Sequence, residues 1–246
     1  MNFKYIINAL GRIAIIIALF MSSSLIWVFY YNETQVLKPF LISIFTAFFT
    51  GLLMTFGTHH QKKVAGMKDR YIIVSVAWVF SGFLGALPFF ISGYIPNFID
   101  ALFESISGFS TTGASILTDI EALPLSLLYW RSLTHWIGGM GIIVLVIAIF
   151  PMFKTTGYHM LSLESSGLLN KKLKPRTSDI AMRMWAIYIA LTAILVGMLM
   201  LGGVNFYESL CHAFGTIATG GYGTKNSSIG LYSPYVQYTI ATFMLI

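Results

Sequence analysis

Charge is scarce in this sequence. Its 246 residues include 15 Lys and Arg and 9 Asp and Glu, so 10% of the chain is charged and 57% is hydrophobic. A soluble domain carries roughly 25% charged residues, because its surface must stay wet. So few charges cannot cover a water-facing globule, which excludes a soluble enzyme and a disordered protein. Cysteine is nearly absent too. Cys211 stands alone, so neither an internal disulfide nor a disulfide scaffold is possible. Catalytic patterns are also missing: no carboxylates paired at a helical spacing, no Walker loop and no nucleophile elbow. No enzyme and no organic cofactor are expected. The net charge of +6 could point to nucleic acid, but in an apolar chain the placement of Lys and Arg matters more than their sum. No nucleic-acid partner is expected.

Long apolar runs are what the sequence has in quantity. Mean hydropathy is +0.77, and a helix needs about 20 apolar residues to cross a hydrocarbon core. Six charge-free runs are long enough: 13–31, 39–57, 71–99, 132–153, 184–207 and 226–246. Lys4 and Arg12 before the first run resemble the start of a secretory signal. Apolar character resumes beyond Ser22-Ser23-Ser24 without a small-x-small cleavage site, so a retained helix is expected.

Twelve of the 15 basic residues fall on one side if the segment 98–121 does not fully cross, leaving Lys38, Arg131 and Lys225 on the other. The positive-inside rule then places the N-terminus in the cytoplasm. The acids Glu33, Asp100, Glu104, Asp119, Glu121 and Glu208 lean outward, and an acidic mouth raises the local cation concentration.

Between the runs lies a repeat. Segment 98–109 is amphipathic and too short to cross, and it leads into Ser110-Thr111-Thr112-Gly113-Ala114-Ser115. Segment 205–216 has the same character and leads into Ile217-Ala218-Thr219-Gly220-Gly221-Tyr222. Aligning Gly113 with Gly220 sets an offset of 107 residues and also pairs Thr112 with Thr219 and Gly108 with Gly215. The repeated unit reads as helix, re-entrant half-helix, extended loop, helix. Non-helical backbone survives at membrane depth only where protein or a watery path solvates it. Glycine lets successive carbonyls face one side, and carbonyls so aligned replace the water shell of a monovalent cation. The half-helix C-terminus adds a negative dipole end that favours a cation. The expected filter strands are Thr111, Thr112, Gly113 and Ala218, Thr219, Gly220. A second register stays open. Thr219-Gly220-Gly221-Tyr222-Gly223 nearly matches the potassium-channel filter, and in that register Gly221 takes the place given to Gly220.

Phe103-Glu104-Ser105-Ile106-Ser107-Gly108-Phe109-Ser110-Thr111-Thr112-Gly113-Ala114 resembles the first pore segment of the Trk/Ktr/HKT superfamily of potassium transporters. Arg131-Ser132-Leu133-Thr134-His135-Trp136-Ile137-Gly138-Gly139-Met140-Gly141 is similar to the start of the following helix in its TrkH branch. Leu173-Lys174-Pro175-Arg176 and the stretch from Cys211 to Gly221 match that branch too, as do the two helices ahead of the first repeat. The resemblance covers essentially the whole chain. It implies an all-α membrane protein of potassium-channel type, with four repeats around one pore and K+ as the transported ion, moved down its gradient or by gated coupling. Residues 1–66 would be the extra helix pair, 67–176 the first repeat and 177–246 a truncated second. The chain would then be the N-terminal half of a protein of roughly 480 residues. A bacterial inner membrane, a homodimer and a cytosolic nucleotide-binding partner of TrkA type are implied in the same way.

Other residues have plainer readings. Glu104, costly if unpaired within a membrane, is expected to pair with Arg131 or a backbone donor, or to face outer water. Asp100 complements the dipole of a half-helix N-terminus. His135 and His212 could ligate a haem, but a hydrogen-bonded interior histidine is the expected state. His59-His60 read as a wet helix end. Gly138-Gly139-Met140-Gly141 sits within a span and suits close helix packing. Lys171, Lys172, Lys174 and Arg176 are explained by topology or anionic lipid, and docking of a regulatory subunit is the sharper alternative. A secondary transporter with a midplane site usually has inverted repeats. The repeats here enter in the same sense, which favours the pore.

Overall fold

A computed structural model describes residues 3–58, 67–153 and 177–245, and every regular element among them is an α-helix. The first span is α1 (Phe3–Ser22) followed by α2 (Ser24–Tyr30), broken at Ser23, whose hydroxyl donates to the Phe20 carbonyl at 2.6 Å. A turn through Asn32 (φ 53°) reverses the chain into α3 (Thr34–Phe56). Asparagine tolerates that left-handed conformation better than most side chains. α1 and α3 cross at two glycines. A Cβ on Gly11 would sit 2.8 Å from the Gly51 carbonyl oxygen, and one on Gly51 would sit 2.7 Å from that of Gly11. Only hydrogen fits at such a crossing.

α4 (Met67–Ile91) ends earlier than the charge-free run 71–99 suggests, and residues 92–97 turn the chain into α5 (Phe98–Phe109). α6 (Leu125–Phe153) begins six residues before Arg131, so that residue lies inside the helix and does not flank it. α7 (Thr177–Leu201), α8 (Phe206–Ile217) and α9 (Pro234–Met244) complete the described elements. The last apolar run is thus divided, with residues 226–233 in turns and bends ahead of α9. Four described stretches are long and apolar enough to cross a membrane: Phe3–Tyr30, Thr34–Phe56, Tyr71–Ile91 and Ala181–Leu201. Each of α5 and α8 has 12 residues, about 18 Å of helix against a hydrocarbon core of about 30 Å. The basic residues Lys62, Lys63, Lys154, Lys171, Lys172, Lys174 and Arg176, and His59 and His60, lie outside the described residues.

Packing delivers α5 to the centre. Cβ atoms at Gly82 and Gly85 of α4 would run into Ile106 and into Ser105 and Phe109, so α5 lies directly on the α4 backbone. On its other side, a Cβ at Gly138 of α6 would overlap the Phe109 carbonyl oxygen. The small residues at 138 and 139 thus do serve close packing, and Gly139 faces Tyr188 and Ala218. Trp130 of α6 donates to the Gly85 carbonyl at 3.0 Å.

Glu33, between α2 and α3, caps α6. Its carboxylate accepts from Leu125 N at 2.7 Å, Ser126 N at 3.0 Å and the Ser126 hydroxyl at 2.5 Å. A carboxylate on the free amides of a helix N-terminus is favoured by hydrogen bonding and by the dipole together. Beside it an aromatic cluster of Trp27, Tyr31, Tyr129 and Tyr207 joins the first helices to α6 and α8, and the Tyr207 hydroxyl donates to Leu125 O at 2.6 Å.

Candidate functional site: two matched loops behind α5 and α8

The loops after α5 and α8 share one backbone pattern. Thr111 (φ 54°) and Gly113 (φ 73°) adopt the left-handed region in the first, and Thr219 (φ 52°) and Gly221 (φ 88°) do so in the second. Each pair is 108 residues apart. The helices keep the same offset: N-cap Asn97 accepts from Ile99 N and N-cap Asn205 from Glu208 N, and the C-caps are Ser110 and Ala218. Past the caps, Thr111 N donates to Gly108 O as Thr219 N does to Thr216 O, and Thr112 N to Ser107 O as Gly220 N does to Gly215 O.

The repeat period is therefore 108, which corrects the 107 read from glycine identities. Gly113 corresponds to Gly221, Thr112 to Gly220 and Thr111 to Thr219, while Ala218 moves back onto the helix cap. The reason is steric. Gly221 has open space around its Cβ position and is glycine for its φ, whereas a Cβ at Gly220 would strike the His135 ring. Gly220 is small because of a neighbour and Gly221 because of its backbone. The two loops touch, since a Cβ on Gly113 would overlap the Gly220 carbonyl oxygen.

A buried ion pair holds the first loop. Arg131 Nε donates to Glu104 Oε1 at 2.6 Å, with side-chain exposures of 2% and 0%. The carboxylate also accepts from the Ser115 hydroxyl at 3.0 and 3.1 Å and from Ile116 N at 3.1 Å. Glu104 thus takes both expected partners, Arg131 and a backbone donor, and none of it faces outer water. Ser107 adds a hydroxyl bond to Ala114 O at 2.6 Å. A buried charge so fully hydrogen-bonded is tolerated, and removal of either partner exposes the other to an uncompensated burial.

Tyr222 ties the second loop to the first. Its hydroxyl donates to Glu104 O at 2.9 Å and lies 3.2 Å from Ala114 O. Arg131 Cζ lies 3.4 Å from the Tyr222 ring centroid, and the His135 ring stacks on it at 3.9 Å with 18° between planes. Two groups that close cannot share one face, so the ring lies between them. Arg131 also donates to Gly223 O at 3.2 Å. His135 is fully buried, and among the described residues neither ring nitrogen has a hydrogen-bond partner, unlike the hydrogen-bonded state expected for it. His212 does meet the expectation, with Nε2 at 3.1 Å from the Tyr232 hydroxyl. The two rings are engaged separately, and no group of three His, Cys, Asp or Glu able to hold a metal occurs among the described residues.

Polar bonds also join the loops farther along. The Asn226 side-chain oxygen accepts from Ile120 N at 2.7 Å, its backbone N donates to Glu121 Oε1 at 3.0 Å and its side-chain nitrogen donates to Asp119 Oδ1 at 2.8 Å. Asp100 lies in the first turn of α5, where the dipole reading placed it, and Glu208 lies at the same point of α8, 3.3 Å from Lys225. Burial, and then the Glu208 carboxylate, raise the Tyr232 phenol above its ordinary pKa, so it stays protonated beside His212. Sequence reasoning did not single out the side chains of Tyr222 and Asn226 or the cap at Glu33. The dipeptide Asn-Phe at 97–98 and again at 205–206 was a usable signal for the 108-residue period.

Comparison with known proteins places this geometry in a family. The model of the TrkH family, described as a cation transport protein, matches residues 37–246. The Trk system potassium uptake protein TrkH of Halomonas elongata is 33% identical over 249 residues, covering 100% of this chain and 52% of that protein. TrkH of Escherichia coli K12 is 37% identical over 213 residues, covering 85% of this chain and 44% of that one. The crystal structure of the potassium transporter TrkH from Vibrio parahaemolyticus superposes with a TM-score of 0.86 at 31% identity, covering 100% of this chain and 49% of that one. The chain spans about half the length of the curated relatives it matches.

Proposed function

The chain belongs to the TrkH family of cation transport proteins, and from that premise we propose that it forms two of the units surrounding a potassium-selective pore. The observation that carries the reading is the repeated alternation of left-handed residues at Thr111 and Gly113 and at Thr219 and Gly221, in loops whose backbones touch. In a plain extended strand successive carbonyls alternate sides. Placing every second residue in the left-handed region turns them to a common side, where they can substitute for water around a bare alkali cation. The C-terminal ends of α5 and α8 meet these loops at Ser110 and Ala218, and their partial negative charge favours a cation over an anion. The filter strands are then Thr111, Thr112, Gly113 and Thr219, Gly220, Gly221.

In this reading α5 and α8 are re-entrant half-helices, and two further units complete the ring. K+ is the transported ion, and the relatives' names support it. The protein sits in the inner membrane with its N-terminus in the cytoplasm, in keeping with the bias of basic residues. It pairs as a homodimer and docks a TrkA-like nucleotide-binding subunit near Lys174 and Arg176. Rubidium uptake by the full-length protein carrying Gly113→Val tests the core of this proposal. A side chain at residue 113 meets both an unfavourable φ and the Gly220 carbonyl, so uptake should fall to background. Uptake and ion preference equal to the parent would refute it.

A further inference from the structure

The two units differ at position 222. Its counterpart 108 residues earlier is Ala114, which has no side chain to reach across. The Tyr222 hydroxyl instead bonds to the first unit, at Glu104 O and close to Ala114 O. Its ring is fixed by two residues one turn apart on α6, Arg131 and His135. The same imidazole fills the space where a Gly220 side chain would project. Its face stacks on the Tyr222 ring and its edge fills the space beside Gly220, so its contribution on that side is the flat face and the volume. One ring therefore backs the second strand at Gly220 while steadying the tyrosine that spaces it from the first.

We propose that Tyr222 is a specificity-determining positioning residue: held between Arg131 and His135, and hydrogen-bonded to the first unit, it sets the separation of the two filter strands and with it the preference among alkali cations. The inference rests on the filter reading above. A carbonyl cage held at a fixed size fits one cation radius better than another, which is the cavity-size contribution to selectivity. A strap that fixes two strands to each other holds that size. The hydroxyl's bond and the ring's stacking act on the same distance from two directions.

The test uses the full-length protein in cells lacking other potassium uptake. Rubidium influx is measured with K+ or Na+ as competitor, and the readout is the ratio of half-inhibiting concentrations. Tyr222→Phe removes the hydroxyl and keeps the ring. It should lower the K+ over Na+ preference by about 3- to 10-fold, the equilibrium factor of one ordinary hydrogen bond. His135→Leu should lower it similarly, whereas His135→Phe, which keeps a flat ring, should restore it to near the parent value. A structural defect alone reduces the amount of working protein and leaves the ratio untouched. An unchanged ratio in both Tyr222→Phe and His135→Leu therefore overturns the proposal, whatever the uptake rate. Gly113→Val in the same assay separates the two levels. If it abolishes uptake while the ratios stay fixed, the strap fails and the filter stands. If it leaves uptake and preference intact, the filter reading itself falls.

Discussion

Glu104→Gln isolates the charge at the centre of the site. The substitution keeps the side chain's size and one oxygen able to accept from Ser115 or Ile116, but among the described residues it leaves the buried Arg131 guanidinium with the Gly223 carbonyl and the Tyr222 ring as partners. Unpairing a buried ion costs about 3–5 kcal/mol, and the amide's remaining hydrogen bond returns about 1 kcal/mol. The net loss of about 2–4 kcal/mol corresponds to a melting shift on the order of 2–8 °C for a full-length protein about twice as long as this chain. The assay is loss of monodisperse full-length protein in detergent after stepwise heating, alongside Arg131→Met and the double substitution. Removing both charges should be less damaging than the two single effects added together, with a coupling of about 2 kcal/mol or more. Single variants that melt within about 1 °C of the parent, or effects that simply add, would show that the pair is not what anchors the first loop.

Two further expectations concern packing and capping. Gly138→Ala should abolish recovery of folded protein on size-exclusion chromatography, because its methyl overlaps the Phe109 carbonyl, while Gly197→Ala, with nothing within 4 Å, should melt at the parent temperature or gain up to about 1 kcal/mol. Glu33→Ala should lower the melting temperature by the equivalent of about 1–2 kcal/mol, since three hydrogen bonds to the start of α6 are lost. Glu33→Gln, retaining one acceptor oxygen, should recover part of that in the same measurement.

Much of this architecture is written in local composition. The short helix at 98–109 falls where an amphipathic dozen residues interrupts apolar runs, and the structure has a helix with those bounds. The second unit is displaced by one residue from the sequence reading, because matching glycines by identity assumes that they are glycine for one reason. Gly220 answers to the His135 ring and Gly221 to its own φ, a distinction set by a side chain 85 positions upstream. Arg131 misleads for a related reason. A charge beside an apolar run reads as a boundary, but the fold places Arg131 inside α6, buried against Glu104, one of the partners expected for it, 27 positions away on another helix. Burial of a charge depends on a tertiary partner, which hydropathy cannot register.

The reach of Arg131 limits how far the units can be treated as interchangeable modules. Its side chain grips a carboxylate of its own unit and a carbonyl and ring of the next, so the seam between units runs through a shared residue rather than between self-contained parts. A chimera splicing the front unit of one relative onto the rear unit of another would have to transplant positions 104, 131, 135 and 222 as a set, and divergence at any one of them confines recombination to places where all four travel together.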